Sequence, residues 1–404
     1  MVTSNKIKAA QFVPCRNSAA MVSSSTLAAA KKAAELRSSG IQVIDLSVGE
    51  PDFDTPEFIK DLAIKALKQG YTKYTPSAGA ETFRSNIARY FSENFDSDIR
   101  PTEVVAACGG KQALFNAICT LLDSGDECLI PSPYWVTFPE IVKFIGAKPI
   151  FINTAQNDFL LTAEMVAAAA TDKTRALIVN SPNNPSGRVI SPEEFRRIVE
   201  VCAEREIFVI ADECYLYFVY PPARVFSAAS LEPELRQWVA IAGSFSKTFS
   251  MTGWRIGFTI ACEAWSKEIA KLQSHSATHP TSFVQIACAE ALCHTDEMRA
   301  ALDSMLQEYL RRRDYFVPAL KRINGFELIM PEGAFYAFVD VRQLLQGGFA
   351  NSAAVADALL AEAHIVVTDG AGFGSDGFLR FSYAASMEKL EKAVSEMKRI
   401  FGVK

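Results

Sequence analysis

The sequence predicts an α/β protein, with a large domain built on a mostly parallel seven-stranded sheet flanked by helices and a smaller α+β domain. Three observations predict this fold. Helix-forming segments alternate with short apolar, β-branched runs through the middle of the chain, which is typical of βαβ units. After Gly333 the order of strand-like and helix-like segments changes. The length of 404 residues suits two domains of ordinary size.

Seven apolar runs in the middle of the chain have the length and composition of buried strands, and most of them end at Gly, Pro, Ser or Asp. They are residues 104–107, 127–130, 148–152, 176–180, 208–211, 239–242 and 256–261. Open α/β sheets bind ligands beyond the carboxyl ends of their strands. Functional residues are therefore expected directly after these runs.

The domain boundaries follow from the same pattern. The large domain is predicted to span residues 50–295. A long charged helix is predicted near the end of this domain. After that helix, strands and helices follow in a different order. A helical stretch at residues 26–38 precedes the first element of the large domain, so residues 1–49 are predicted to fold with residues 296–404 as the small domain.

The bulk composition excludes several classes of function. A formal net charge of -5 leaves no basic surface for a phosphate backbone, so nucleic acid is not an expected partner. The nine Cys include no CxxC pair and most lie in apolar stretches, which predicts reduced thiols in a cytoplasmic protein and no metal site. No uncharged apolar run reaches the ~18 residues that cross a bilayer, so no membrane partner is expected.

The segment GSFSKTFSMTGWRIG at residues 243–257 carries the strongest chemical signal. It places Lys247 just after a predicted buried strand, where burial lowers the pKa of a lysine and frees its amine for imine formation. Ser244, Ser246 and Arg255 offer donors for a phosphate dianion. A surface lysine in a Ser-rich loop is the alternative. Arg255 argues against it, because a guanidinium between apolar neighbours needs an anion.

A second phosphate-type motif is CGGKQ at residues 108–112. It follows a predicted strand and opens a helical stretch, so Gly109 and Gly110 would let backbone N–H groups at a helix amino terminus approach a phosphate. Lys111 in the first turn opposes the helix dipole, which a bound anion would offset. A tight strand-to-helix turn is the alternative.

Asp212 ends an apolar predicted strand, where a buried carboxylate is costly without a cation or a protonated ring nitrogen as partner. A pyridinium nitrogen is such a partner, and pyridoxal enzymes commonly use an Asp in this way. Tyr215, three residues later, would lie on the same side and donate to a ring oxygen. A helix cap formed by Asp212 is the alternative.

Two further residues have the donors that a substrate or cofactor oxygen needs. Asn184 lies in the double-proline turn NSPNNPSG, where its amide would donate to a phenolate oxygen, although turn formation alone explains the motif. Arg380 lies in GFLRFSY, where period-two alternation places Phe378, Arg380 and Ser382 on one face. Its planar fork suits bidentate binding of a substrate carboxylate, and a salt bridge to a nearby acid is the alternative.

The chain resembles the class I pyridoxal-phosphate aminotransferases of fold type I from about residue 43 to residue 383, and within them the bacterial aspartate and aspartate/prephenate enzymes. The resemblance implies a homodimer with active sites shared across the interface. It also implies ping-pong transfer of an amino group from an L-amino acid, foremost L-aspartate, to 2-oxoglutarate. Nine segments carry it in the family's order: SVGEPDFDTP, YTPSAGAETFR, GGKQALFNA, PSPYW, NSPNNPSG, ADECY, SFSKTFSMTGWRIGF, GAFYAF and LRFSYA.

The resemblance implies pyridoxal 5'-phosphate as the cofactor and assigns its ligands. Lys247 would be the Schiff-base lysine and the base that moves the proton. Asp212 would pair with the pyridinium nitrogen. The other implied contacts are Asn184 and Tyr215 at the ring oxygen, Trp135 stacked on the ring, Gly110, Lys111, Ser244 and Arg255 at the phosphate, and Tyr74 from the other subunit.

The substrate would be held at both of its ends. Arg380, with Gly49, Asn184 and the stacking Trp135, would bind the α-carboxylate end. Lys111, together with Ser24 near the amino terminus, would bind a second carboxylate.

Two departures from the family's pattern leave the substrate open. The stretch SATHPT at residues 276–281 lacks the Arg with which other aspartate aminotransferases bind the second carboxylate across the dimer. Phe138 occupies a position where the family places a His under the Asp. An aromatic amino acid or prephenate aminotransferase on the same site, and a pyridoxal-dependent lyase or synthase, stay alternatives.

Overall fold

The computed structural model describes residues 12–23 and 25–404, and for residues 25–28 it describes the backbone alone. The strands in this part of the chain are β1 (Ile44–Asp45), β2 (Val104–Ala107), β3 (Glu127–Ser132), β4 (Lys148–Asn153), β5 (Thr174–Asn180), β6 (Phe208–Asp212), β7 (Val239–Ser244), β8 (Gly257–Ile260), β9 (Glu327–Leu328), β10 (Tyr336–Asp340), β11 (Ile365–Val366), β12 (Thr368–Asp369) and β13 (Phe378–Ser382).

Seven of these strands form the central sheet, in the order β2-β8-β7-β6-β5-β3-β4. All neighbouring pairs are parallel except those of β8, which runs antiparallel to β2 and β7. Every residue of β2, β7 and β8 is buried, as expected for a sheet that helices cover on both faces. The predicted fold class and the seven predicted strands are confirmed.

Most of the longer helices bury an apolar stripe, whereas the short helices at residues 16–19, 233–236 and 342–346 bury no residue. In the order of the chain the helices are α1 (Arg16–Ala19), α2 (Ser25–Ser38), α3 (Glu57–Lys68), α4 (Glu81–Phe95), α5 (Gly110–Cys119), α6 (Thr137–Ile145), α7 (Ala163–Ala169), α8 (Pro192–Glu204), α9 (Pro233–Arg236), α10 (Phe245–Thr248), α11 (Glu263–Ser274), α12 (Ser282–Ala291), α13 (Thr295–Lys321), α14 (Arg342–Gln346), α15 (Ser352–Ala363) and α16 (Met387–Phe401).

Helix α8 illustrates how the sequence sets a helix and the face it buries. Ser191 caps its amino terminus by accepting a hydrogen bond from the backbone N–H of Glu194, and Pro192 occupies the first turn, where it removes no needed donor. Its buried residues are spaced three and four apart, so they form one stripe that packs on the sheet. They are Phe195, Ile198, Val199 and Cys202.

The remaining strands lie at the two ends of the chain. A four-stranded sheet has the order β12-β13-β10-β9, and each of its neighbouring pairs is antiparallel. β1 pairs in parallel with β11, so the segment before residue 50 is joined to the carboxy-terminal part of the chain. Ile44 and Leu46 are buried in the same core as the inner faces of α13 and α16. The boundaries at residues 49/50 and 295/296 stay a prediction.

Two further observations bear on the surroundings of the protein. Among the described residues, no helix is long and apolar enough to cross a membrane. The nine Cys are free thiols, and Cys128, Cys202 and Cys288 are buried in the interior.

Candidate active site

The candidate site lies at the carboxyl edge of the central sheet, where the predicted residues meet. Asp212 ends β6, Ser244 ends β7, and Gly109 and Gly110 lie between β2 and α5. Since β6 is parallel to β7, and β2 and β7 are both antiparallel to the β8 that lies between them, these ends share one edge.

The turn between β2 and α5 leaves a space that a side chain would fill. Gly109 has φ of 83°, a conformation that favours glycine, and a Cβ atom there would lie 2.6 Å from Arg255 Nη2. A Cβ atom on Gly110 would lie 2.7 Å from Cys214 Sγ and 3.2 Å from Ser244 Cβ. The amino terminus of a ten-residue helix therefore faces this space together with a guanidinium, an arrangement that suits a phosphate.

Two cations at this turn have no acidic partner within ion-pair distance in the described part of the chain. Arg255 donates to the backbone oxygens of Thr252 at 2.8 Å and Cys108 at 3.3 Å. The Lys111 ammonium lies 4.8 Å from the centroid of the Trp135 ring, and burial, then the charge of Arg255, lowers the pKa of this lysine. Both side chains are exposed in the single chain, so the burial that the apolar neighbours of Arg255 suggested is wrong. Two like charges at one turn, with no acid to pair with, still suit an anion.

Lys247 is a half-buried lysine in the short helix after β7. Its Nζ atom donates to the Gly49 carbonyl oxygen at 2.6 Å, which connects it to the amino-terminal segment. Ser244 caps the helix, since its Oγ accepts from the Ser246 N–H at 3.0 Å. Burial lowers the pKa of Lys247 to about 8. About a tenth of the amine is therefore unprotonated at pH 7 and able to act as a nucleophile, far more than for an ordinary lysine.

Asp212 is buried with few partners. One carboxylate oxygen accepts from the Cys214 N–H at 3.1 Å. Burial raises the pKa of Asp212 to about 6, although hydrogen bonds from Cys214 and the charge of Lys247 oppose the shift. A carboxylate in this position would be stabilised by a bound cationic ring nitrogen.

This raised pKa predicts that Asp212→Asn will make the cofactor-free protein more stable above about pH 6. The unfolded chain ionises its carboxylate near its ordinary value of 3.8, whereas the folded chain does so only at about 6. Between those values the folded state binds more protons, so the unfolding free energy of the wild type falls as the pH rises, by about 3 kcal/mol in total. Asn cannot ionise and avoids this loss.

Urea unfolding at about pH 4 and about pH 8 measures the effect. The exposed Asp172 provides the control, because Asp172→Asn should leave both values unchanged. The stability advantage of Asp212→Asn over the wild type should be larger at about pH 8 than at about pH 4. An advantage that does not grow with pH would contradict the prediction.

Arg380 is a guanidinium that is 1 % exposed on β13. It donates to Asn184 Oδ1 at 2.9 Å, the Ser47 carbonyl oxygen at 2.5 Å and Thr368 Oγ1 at 3.3 Å. Its Nε atom has no hydrogen-bond partner, and none of its partners among the described residues is a carboxylate. The alternative of a structural salt bridge is therefore wrong, and the free donor suits an anionic ligand.

Asn184 and Tyr215 lie near this arginine. Asn184 is held by a 2.7 Å hydrogen bond from its backbone N–H to Asn180 Oδ1, and its side-chain oxygen faces Arg380. The Tyr215 hydroxyl lies 2.7 Å from the hydroxyl of Tyr336. Gly49 lies next to Tyr336, and a Cβ atom there would collide with the tyrosine hydroxyl.

The remaining predicted residues fall in three places. Trp135 is half-buried, beside Lys111 and edge-on to Phe138 at 5.6 Å between ring centroids. Tyr74 is 89 % exposed and packs edge-on against His279 at 5.5 Å. Ser24 lies outside the described residues.

Sequence reasoning missed Tyr336, Thr368 and Ser47, which complete the surroundings of Arg380. Tyr336 lies in the quoted segment GAFYAF, and period-two alternation along that strand could have indicated which of its residues faces the arginine. Ser47 contributes a backbone oxygen, which leaves no signal in the side-chain pattern.

Comparisons with known proteins identify the family. The model of the family "Aminotransferase class I and II" matches residues 41–397. A probable aspartate/prephenate aminotransferase of Aquifex aeolicus is 42% identical over 377 residues, covering 93% of this chain and 95% of that protein. An aspartate aminotransferase of Geobacillus stearothermophilus is 39% identical over 383 residues, covering 94% and 97%.

Solved structures give the same result. The aspartate aminotransferase of Thermus thermophilus with maleate matches with a TM-score of 0.91 at 36% identity, over 96% of this chain and 100% of that chain. The aspartate aminotransferase of Rhizobium meliloti matches with a TM-score of 0.90 at 34% identity, over 98% and 100%. With a family model across most of its length and relatives near 40% identity, the chain belongs to the class I and II aminotransferases.

Proposed function

We propose that the protein uses pyridoxal 5'-phosphate to transfer the amino group of L-aspartate to 2-oxoglutarate in a ping-pong cycle. The observation that carries the proposal is the half-buried Lys247, whose amine has a lowered pKa and lies close enough to Asp212, Arg255 and Arg380 for their charges to act on it. Such a site offers a nucleophile, a carboxylate for a ring nitrogen and two separate positions for anions.

The site residues fit this cofactor. Lys247 would hold it covalently, Asp212 would pair with its ring nitrogen, and the cofactor when bound supplies an electron sink for charge that develops at the substrate. Asn184 and Tyr215 would contact the ring oxygen and Trp135 the ring face. The space opened by the two glycines of the β2–α5 turn would take the phosphate, with donors from Gly110, Lys111, Ser244, Ser246 and Arg255.

The chain's own residues then carry the proton and orient the substrate. Released from the cofactor, Lys247 Nζ would take the proton from the substrate Cα, a role that its lowered pKa favours at neutral pH. Arg380 would bind the α-carboxylate with its free donor, supported by Asn184 and the Gly49 segment. Fixing that carboxylate holds the Cα–H bond in one orientation relative to Lys247.

The choice of a dicarboxylic substrate rests on Lys111. Its ammonium has no acidic partner in the described structure, and we propose that it binds the second carboxylate, with Ser24 as a further ligand. Prephenate is a second candidate substrate, because the relative from Aquifex aeolicus carries both aspartate and prephenate in its name. Both substrates have a carboxylate remote from the reacting carbon.

The proposed assembly is a homodimer that shares its active sites. The support is Tyr74, a large side chain 89 % exposed in the single chain, which would reach the phosphate site of a second copy. A cytoplasmic location also stays a proposal, and its support is the set of nine free thiols.

The visible absorbance of the purified protein with added pyridoxal phosphate tests the proposal. We expect a band of the protein-bound cofactor that falls when L-aspartate is added and returns with 2-oxoglutarate. A protein with no band would contradict the cofactor assignment. A band that L-aspartate leaves unchanged would contradict the substrate.

Replacing Lys111 with Met tests the substrate assignment separately. We expect kcat/KM for aspartate to fall about 10- to 160-fold, whereas kcat/KM for alanine should change by less than about threefold, because a charge-assisted contact of roughly 1.5–3 kcal/mol is lost only with the dicarboxylate. Lys173→Met, at an exposed lysine, is the matched control. Equal losses for both substrates would place Lys111 at the cofactor alone.

A further inference from the structure

We propose that Tyr336 is a positioning residue: its hydroxyl donates to Tyr215 and thereby directs the single proton of Tyr215 to the ring oxygen of the cofactor. The inference rests on the proposed function, since it concerns the contact between Tyr215 and the cofactor. It adds a residue that no assignment above includes.

Tyr336 lies at the meeting point of three parts of the site. It is fully buried on β10, with its hydroxyl 2.7 Å from that of Tyr215 and next to Gly49, whose carbonyl oxygen accepts from Lys247. The Arg380 guanidinium lies 4.5 Å from the centroid of its ring. The register of β10 and β13 pairs Tyr336 with Ser382 and Phe338 with Arg380, so Tyr336 and Arg380 are diagonal neighbours on one face.

The number of protons at the two hydroxyls makes the direction of their hydrogen bond decisive. A tyrosine hydroxyl has one proton to donate and can also accept. If the Tyr215 hydroxyl donates its hydrogen bond to Tyr336, it has no second proton to donate to a ring oxygen. If Tyr336 donates instead, the Tyr215 proton is free for the cofactor, and each hydrogen bond polarises and strengthens the other.

Burial keeps both hydroxyls protonated. It raises the pKa of Tyr215 well above its ordinary value and raises that of Tyr336 as well. Neither group loses its proton in the pH range of the enzyme, so the pair acts as a fixed chain of donors. A negative ring oxygen at its end would select the direction from Tyr336 through Tyr215.

Tyr336→Phe isolates the hydroxyl, because it keeps the ring that packs on Arg380. In the cofactor-loaded protein, a donor at the ring oxygen stabilises negative charge there and lowers the apparent pKa of the visible band. The variant removes the donor to Tyr215 and leaves no competing acceptor for the Tyr215 proton, so only the polarisation of the Tyr215 hydrogen bond is lost. We therefore expect this apparent pKa to rise by about 0.1–0.3 unit in Tyr336→Phe. The measurement is a spectroscopic pH titration and needs no turnover.

Two further variants show whether Tyr336 acts through Tyr215. Tyr215→Phe should raise the apparent pKa by at least as much, and the Tyr215→Phe/Tyr336→Phe double variant should match Tyr215→Phe alone, since the first hydroxyl then has nothing to orient. Tyr309→Phe is the control: Tyr309 is fully buried in the same aromatic cluster, and its hydroxyl has no hydrogen-bond partner in the described structure. It should leave the apparent pKa unchanged.

The outcomes separate the inference from the function on which it rests. A wild-type protein without a pyridoxal band overturns both. A normal wild-type band with an unshifted Tyr336→Phe, or shifts that add in the double variant, overturns the role of Tyr336 alone. A shift in Tyr336→Phe that is absent in Tyr309→Phe and does not add to that of Tyr215→Phe supports it.

Discussion

Lys247→Ala is expected to reduce turnover by at least about 10⁴-fold and to abolish the visible band of covalently held cofactor. The variant removes both the nucleophile that holds the cofactor and the amine that moves the proton at Cα. The described structure provides no other amine that could replace Lys247. The other cations of the site are guanidinium groups and Lys111, whose ammonium lies against Trp135. The measurements are steady-state turnover with aspartate and 2-oxoglutarate and the absorbance of the loaded protein.

Two variants provide the comparison. Lys247→Arg keeps a cation but has no amine that can form the covalent bond, so it should be as inactive as the Ala variant. Lys267→Ala, at an exposed lysine paired with Glu263, should behave as the wild type. Residual turnover above about one hundredth of wild type in Lys247→Ala would show that another group moves the proton.

Arg380→Met is expected to reduce kcat/KM about 30- to 5,000-fold, the effect of about 2–5 kcal/mol when one partner of a buried charged contact is removed. The loss should appear with every amino acid substrate, because each has an α-carboxylate. Arg380→Lys should recover little, since an ammonium cannot make the two parallel hydrogen bonds of the guanidinium fork. The measurement is kcat/KM for aspartate and alanine.

The same variant should cost little stability, which distinguishes a binding role from a structural one. Arg380 has no ion-pair partner in the described residues, so its removal leaves no buried carboxylate unpaired. It does leave the Asn184 side-chain oxygen and the Ser47 carbonyl oxygen without a donor, but it also removes an unpaired buried charge, so we expect the unfolding free energy of the cofactor-free protein to fall by less than about 2 kcal/mol. Arg313, also buried but paired with Asp314, is the control: Arg313→Met should leave kcat/KM unchanged. A large loss of stability in Arg380→Met would assign Arg380 to the fold.

The central sheet could be predicted from the sequence because its strands are short, apolar and separated by helical patterns. All seven predicted runs are strands, and their bounds differ by at most two residues, as with Thr174 at the start of β5 and Ser244 at the end of β7. The order of the strands follows from packing between distant segments, which a pattern of apolar residues does not specify.

The sequence predicted which residues form the site better than it predicted which atoms they contact. Lys247, Asp212 and Arg380 stand out because a charged residue beside an apolar strand needs an explanation. The acceptors around Arg380 do not stand out, since one is a backbone oxygen and another is Thr368, an ordinary strand residue. The chemistry of Tyr336 depends on the position of its hydroxyl, which only the packing of β10 against β13 determines.

The contact between Arg380 and the Ser47 carbonyl oxygen has a consequence for how the protein is made. It joins residues 333 positions apart, and β1 and β11 span a comparable stretch of the chain. During synthesis the central sheet can form once residue 260 has emerged from the ribosome, whereas the carboxylate end of the site waits for β13. Amino-terminal residues must therefore stay available throughout translation, and a truncated nascent chain acquires a sheet before it can acquire a substrate site.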